Sequence, residues 1–276
     1  MNCPDLTPED LERLKADDPC RPVARLSAPI NYFDLPEVSS SDLGALKRTF
    51  YGLPDNRAEL MAVFNFGSLV DAMLTERYLL YPVVLGLRTL DGQMVYFTLE
   101  VWKLAQRLAD TLAEDPVIRR LLPMAVGQYI FRRTLDFIYE GEVYQIRGKC
   151  KFDLYARGIK TGLDFKTTAA TTRAQFIESI DFLDYDKQAA YYMDLGRVDQ
   201  YWIAGISKKN GKIFKVAIER GDATHKAGVA KYTVWSRRWI MLIDPFALTL
   251  TLKDNRPASD DIVETLTSKP HEIYQI

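Results

Sequence analysis

Histidine is nearly missing from this chain of 276 residues, which has two, His225 and His271. Cysteine is almost as scarce, and Cys3, Cys20 and Cys150 share no C-x-x-C spacing. These shortages exclude a disulfide framework, a zinc site of the usual ligand spacing, and the thiolate quartet of an iron–sulfur cluster. No G-x-S-x-G elbow accompanies the histidines, so a serine hydrolase lacks its nucleophile turn. No run of about 18 apolar residues occurs, so no membrane-spanning helix is expected. The opening stretch Met1–Asp10 is acidic and has no apolar core, which argues against a secretory signal and leaves a cytoplasmic location as the expectation. An excess of one charge is lacking too. With 36 basic and 37 acidic residues the net charge is -1, so any basic surface for a polyanion must be local and offset elsewhere. If the chain is an enzyme, its chemistry runs on carboxylates and lysine.

What is present fits a soluble globular protein. The hydrophobic fraction of 47% and the charged fraction of 26% are ordinary for that class, and the length allows one large domain or two small ones. Residues 1–35 are rich in proline and aspartate and read as an arm with one short helix near Pro8–Lys15. Residues 36–245 carry the patterned core, with a helical insertion near 99–122, and residues 246–276 form a tail with one strand-like piece, Ala247–Leu252. Helices are expected from the Ser39-Ser40-Ser41-Asp42 cap to Phe50, over Glu59–Tyr78 and Leu99–Leu112, and from Pro116 to Leu122. Val83–Leu87 is β-like. Tyr129–Tyr139 and Val143–Tyr155 then alternate polar with apolar residues around Glu140-Gly141-Glu142, the pattern of a hairpin. A short strand over Leu163–Thr167 follows, then helices at Thr172–Ile180 and Tyr185–Leu195. Strands at Gln200–Ile206 and Ile213–Ile218 and a long helix, Ala223–Leu242, complete the core. This order predicts an α+β fold with a central mixed sheet flanked by helices.

Asp153 and Asp164 lie on successive strands around the turn Gly158–Gly162. If the turn centres on Gly158-Ile159 they are direct cross-strand partners; if it centres on Lys160 they are offset and need a bulge to meet. Lys166, two residues after Asp164, shares its strand face. Two carboxylates about 4 Å apart at an effective dielectric near 20 repel by roughly 4 kcal/mol. A divalent cation reverses that sign, and oxygen ligation suits Mg²⁺ or Mn²⁺. Lys166 is then placed to orient or deprotonate a water and to stabilise charge on a phosphate. The spacing alone also fits a solvated surface pair.

Three segments in series carry a family resemblance: Gly148-Lys149-Cys150-Lys151-Phe152-Asp153, Leu163-Asp164-Phe165-Lys166-Thr167-Thr168 and Gln188-Ala189-Ala190-Tyr191-Tyr192. They resemble the motifs of the PD-(D/E)XK nucleases, and most of all the RecE-like, exonuclease VIII type branch related to phage lambda exonuclease. Upstream, Tyr32–Pro36, Ser39–Leu43 and the helix Phe66–Glu76 are also similar to that branch, with Asp71 where the family usually carries histidine. The resemblance spans about Tyr32 to Ile218.

It implies a restriction-endonuclease-like core and a metal-dependent exonuclease that hydrolyses DNA phosphodiesters, 5′→3′ on linear double-stranded DNA in phage-style recombination. It implies Asp153, Asp164 and Lys166 as catalytic residues. Asp71, Asp153, Asp164 and the Phe165 carbonyl are the implied ligands of Mg²⁺, with Mn²⁺ as a substitute, and Gln188 and Tyr192 position the substrate. The implied partners are DNA, a single-strand annealing protein and further copies of the chain in a ring. Some relatives carry a glutamate on the strand before the Asp153 hairpin; the nearest residue here, Gln128, is neutral, and that role is not transferred. Arg132, Arg133, Lys149, Lys151, Lys160 and Arg173 are candidates for phosphate contact. Other readings are a structure-specific or CRISPR-adaptation-type nuclease of the same superfamily without its iron–sulfur cluster, and an inactive DNA-binding protein on the same fold.

Overall fold

The computed structural model describes residues 32–53, 57–89 and 92–243. The chain divides into two compact units, Met1–Ile30 and Asn31–Ile276, and the described residues all belong to the second. The helix expected near Pro8–Lys15 and the strand-like piece Ala247–Leu252 lie outside the described residues.

The serine run does cap a helix. Ser39 Oγ accepts from the Asp42 amide at 3.2 Å, and Asp42 Oδ2 accepts from the Ser39 amide at 2.8 Å, closing a capping box at the start of α1 (Ser40–Phe50). Helix α2 (Arg57–Thr75) ends three residues earlier than expected, because the chain turns through Arg77–Leu79. Of the stretch Val83–Leu87 expected to be β-like, only Gly86 and Leu87 are strand, because Pro82–Val84 forms a 3-10 turn and Leu85 is left-handed; a small antiparallel sheet is built of β1 (Leu80–Tyr81), β2 (Gly86–Arg88) and β3 (Met94–Tyr96). Helices α3 (Leu99–Glu114) and α4 (Pro116–Leu121) meet at Asp115, whose carboxylate accepts from the Val117 and Ile118 amides. Asp115 is thus the N-cap of α4, and Pro116 fills the first helical position, where no donor is needed.

The central sheet has the order β4 (Val126–Tyr139), β5 (Glu142–Ala156), β6 (Thr161–Thr168), β7 (Gln200–Ser207) and β8 (Ile213–Glu219). Glu140 and Gly141, with φ of 51° and 84°, make the two-residue turn between β4 and β5. β6 and β7 run parallel, joined by a crossover through α5 (Arg173–Phe182) and α6 (Tyr185–Gly196); the other neighbours are antiparallel. Helix α7 (Ala223–Ile243) follows β8. The architecture is α+β, with a mixed sheet flanked by helices, consistent with a restriction-endonuclease-like core. Among the described residues no helix is long and apolar enough to cross a membrane.

Two cores sandwich the sheet. One joins Cys150, Phe152, Tyr201 and Ile203 to Tyr191 of α6 and Trp239 of α7. The other joins Leu154, Leu163, Phe165 and Ile206 to Leu69 and Met73 of α2 and Leu108 of α3. In β6 the alternation is regular: Leu163 and Phe165 face α2 and α3, which leaves Asp164 and Lys166 on the α6 side. In β5 it is not. Phe152 and Leu154 are two apart and should share a face, yet they pack into opposite cores. The strand therefore turns over at Asp153.

β5 pairs with β6 over Leu154–Ala156 alone, and the freed edge of β5 takes up the segment that leads into α1. The Val38 amide donates to the Arg147 carbonyl at 3.0 Å, and the Lys149 amide donates to the Val38 carbonyl at 2.8 Å. Side chains fasten the same segment. Lys149 Nζ donates to the carbonyls of Tyr32 and Leu35 at 3.1 and 2.6 Å, and Arg132 donates twice to Glu37 Oε1 at 2.9 and 2.6 Å. Two of the six cations expected to meet phosphate are thus committed to the fold. Glu37 is buried, which explains why it recruits Arg132 and, at 3.4 Å, Arg147.

Candidate active site

The β5–β6 turn settles which register holds. Ala156 pairs with Thr161, Tyr155 with Gly162 and Leu154 with Leu163, so the turn centres on Gly158-Ile159. Continued by one residue, that register sets Asp153 opposite Asp164. The ladder stops before this point. Two residues on, Phe165 would pair with Phe152, but its amide donates instead to Asp153 Oδ2 at 2.7 Å. The Asp153 carboxylate therefore stands in the gap where the two strands part and replaces a backbone acceptor there.

Asp153 and Asp164 are 8% and 4% exposed, so water screens their charges little. Burial, and next the Asp164 carboxylate, push the Asp153 carboxyl up to about 7, against the pull of Lys166 and of the Phe165 amide. Asp164 is compensated on both oxygens. Gln188 Nε2 donates to its Oδ1 at 2.7 Å, and Lys166 Nζ stands 2.5 Å from its Oδ2 as an ion pair, outside the angles of a well-formed hydrogen bond. Burial opposes the Lys166 charge, but Asp164 first, then Tyr185 and Asp153, outweigh it and hold the ammonium above the usual lysine range.

Gln188 reaches the site from the first turn of α6, and Tyr185, three residues earlier, lies on the same helix face. The Tyr185 ring sits under Lys166 Nζ, 5.0 Å from its centroid. Tyr185 is absent from the sequence-based site, although its i, i+3 spacing from Gln188 was a usable signal. Gln128, set aside as neutral, is also here. Its Nε2 lies 3.0 Å from Thr75 Oγ1 and 3.5 Å from Asp153 Oδ1. Tyr192 is placed behind the carboxylates, 9% exposed, with its ring against Phe152 and Tyr201.

Asp71 comes from the opposite side of the sheet. It is half-buried on α2, one turn beyond Gly67, which faces Thr167 of β6. Burial first, then the charges of Asp153 and Asp164, raise its carboxyl well above the usual carboxylate range. The glycine is not sterically required for this approach, since a Cβ at Gly67 would sit 3.8 Å from Thr167 Oγ1, an ordinary contact.

The donor chemistry fits a hard divalent cation. Asp71 carries the influence of both Asp153 and Asp164, and Asp71 and Asp153 are each held against their own charge by burial and by neighbouring carboxylates. A preformed cage is not assembled: among the described residues no three His, Cys, Asp or Glu side chains stand together in ligating geometry. Asp153 and Asp164 spend their oxygens on Phe165, Gln188 and Lys166 instead. Among the described residues the cysteine and the histidine lie elsewhere. Cys150 is fully buried in the α6–α7 core, its thiol pushed up by burial, and His225 packs at the start of α7, with Nε2 3.6 Å from Asp194.

No protein-family model matches the chain, and no curated protein matches it. Among solved structures it is similar to the protein SSO0001, with a TM-score of 0.31 and 17% identity over 58% of this chain and 77% of that one. It is similar at the same TM-score to a phage-related exonuclease from Haemophilus somnus 129PT, with 16% identity over 49% of this chain and 69% of that one. Both are distant, partial likenesses.

Proposed function

We propose that this chain is a Mg²⁺-dependent nuclease that hydrolyses DNA phosphodiesters. The observation that carries the reading is the group at the β5–β6 gap: Asp153 in the gap, Asp164 in register with it, and Lys166 paired to Asp164 on the same strand face. A structural protein gains nothing from a carboxyl whose ionisation is pushed up to about 7 by its neighbours.

Asp71, Asp153 and Asp164 would hold the ion, with Mn²⁺ able to replace Mg²⁺. The Phe165 carbonyl would join them, since an extended residue presents its C=O on the same edge as its N–H, here the edge facing Asp153. When bound, Mg²⁺ supplies a Lewis acid at the scissile phosphate and makes a bound water easier to deprotonate. Lys166 acts as an ammonium that orients the attacking water and neutralises the charge growing on the phosphate oxygens. Gln188 fixes Asp164 by its 2.7 Å hydrogen bond. The family resemblance extends the reading to a 5′→3′ exonuclease on linear duplex DNA in recombination, with a single-strand annealing partner and a ring of copies.

The test is digestion of linear duplex DNA labelled at either end, beside closed circular duplex, with Mg²⁺, with EDTA, and with Asp164→Ala. Nucleotides should be released from linear ends, first from the 5′ label, with the circle intact and both controls silent. Cleavage of the circle would make the protein an endonuclease. No cleavage by wild type, or full activity in Asp164→Ala, would overturn the proposal.

A further inference from the structure

Gln128 has a positive φ of 53°, a backbone conformation that a non-glycine residue adopts at a penalty and that collects at functional sites. It is also skipped in the β4–β5 ladder. Gly127 pairs with Leu154 and Tyr129 with Phe152, so the missing partner of Gln128 is Asp153. Both strands turn over at this pair. On β5, Phe152 and Leu154 enter opposite cores. On β4, a Cβ at Gly127 would press on Thr75 of α2 at 3.1 Å, while the Tyr129 ring packs with Phe131 and Tyr155 in the other core. Without this inversion, regular alternation would carry Asp153 to the face opposite Phe152 and away from the Phe165 amide.

We infer that Gln128 is a positioning residue that braces Asp153 in the β5–β6 gap. Its carboxamide has two N–H donors and two acceptors in reach: Thr75 Oγ1 at 3.0 Å and Asp153 Oδ1 at 3.5 Å. The Thr75 hydroxyl in turn donates to the Asp71 carbonyl at 2.9 Å. The donors and acceptors of this chain balance, and it ties the α2 turn that carries Asp71 to the carboxylate of Asp153. The shorter bond goes to Thr75, which anchors the amide, while the longer contact leaves Asp153 Oδ1 room to move onto a ligand. The neutral amide suits the place: it holds Asp153 without adding a further negative charge to a site where Asp71, Asp153 and Asp164 already repel.

The inference concerns how Asp153 is held, and its consequence for cleavage rests on the nuclease reading. The decisive variant is Gln128→Gly, which keeps the left-handed backbone at no steric penalty and removes the amide. Its melting temperature should hold or rise. In metal-free buffer the Phe165 amide, whose acceptor is Asp153 Oδ2, should exchange with solvent at least tenfold faster in Gln128→Gly than in wild type. The Ile203 amide on β7 is the internal standard and should not change. DNA turnover should fall about tenfold with KM unaltered, the order of a lost positioning contact. Unchanged Phe165 exchange in a stable Gln128→Gly protein would overturn the inference, whatever the enzyme does to DNA. If Gln128→Gly melts lower, Gln128→Asn decides, since asparagine tolerates the left-handed backbone but its amide falls short of Asp153; wild-type exchange and turnover in that variant would equally overturn it. Accelerated Phe165 exchange in Gln128→Gly, beside a wild-type protein that cleaves no DNA, would keep the brace and end the nuclease reading.

Discussion

In metal-free protein, Asp153→Asn should be stabilising above neutral pH and indifferent near pH 4. The sign follows from the direction in which burial and Asp164 move the Asp153 carboxyl. In the native state it loses its proton at about 7, against an ordinary value of 3.8. The folded protein therefore binds more protons than the unfolded chain between those limits, and stability falls as pH rises through them. Each factor of ten in acidity is about 1.4 kcal/mol, so the full penalty is on the order of 4 kcal/mol above pH 7. Asparagine keeps an oxygen for the Phe165 amide and carries no charge. For a chain of this size the gain corresponds to a rise in melting temperature on the order of 10 °C. Thermal melts followed by circular dichroism in EDTA, from pH 4.5 to 8.5, should show the two proteins converging at acid pH and separating as pH rises. Parallel curves would refute the reasoning. Asp164 is the contrasting control. Two facing carboxylates suggest that removing either one relieves repulsion, but Asp164 is the one paired with Lys166 and Gln188. Its loss strands a partly buried ammonium, so Asp164→Ala should melt lower than wild type in EDTA.

Lys166→Met should lower turnover by roughly 10²–10⁴-fold while Mg²⁺ binding, read by calorimetry, is retained; loss of both together would contradict the ammonium role. Asp71→Ala should lose metal-supported cleavage, and Asp71→His should shift preference from Mg²⁺ to Mn²⁺, because an imidazole is a softer donor; a metal-dependence curve matching wild type in Asp71→Ala would remove Asp71 from the site. Gly67→Ala should stabilise by about 0.5–1 kcal/mol, since the position is mid-helix and the methyl meets ordinary contacts; a lower melting temperature would show that the glycine is needed after all.

Much of the scaffold was legible because its signals are local. The Ser39 cap, the Glu140-Gly141 turn and the alternation along β4 from Tyr129 to Tyr139 each depend on a few neighbouring residues. The Asp153–Asp164 register was narrowed to two choices, since it depends on where the chain between Ala156 and Thr161 turns. What escaped was non-local. Nothing within β5 marks Asp153 as a point of inversion, because the reason lies in how Phe152 and Leu154 find separate cores. Lys149 and Arg132 read as free cations because Tyr32, Leu35 and Glu37 are about a hundred residues away in the chain. Gln128 was passed over for want of a charge, when its contribution is a backbone conformation and a neutral amide.

The lead-in segment along β5 sets a limit on shortening the chain. A protein beginning at Ser39 or later would take the carbonyl acceptors from Lys149, the carboxylate from Arg132 and Arg147, and Val38 from the edge of β5. The margin of β5 would then present unpaired amides and carbonyls next to three uncompensated cations, an invitation to strand pairing between copies and to indiscriminate grip on nucleic acid. A truncation series should therefore turn from soluble to aggregating between starts at Tyr32 and at Ser39, well before it reaches any residue that faces the carboxylates.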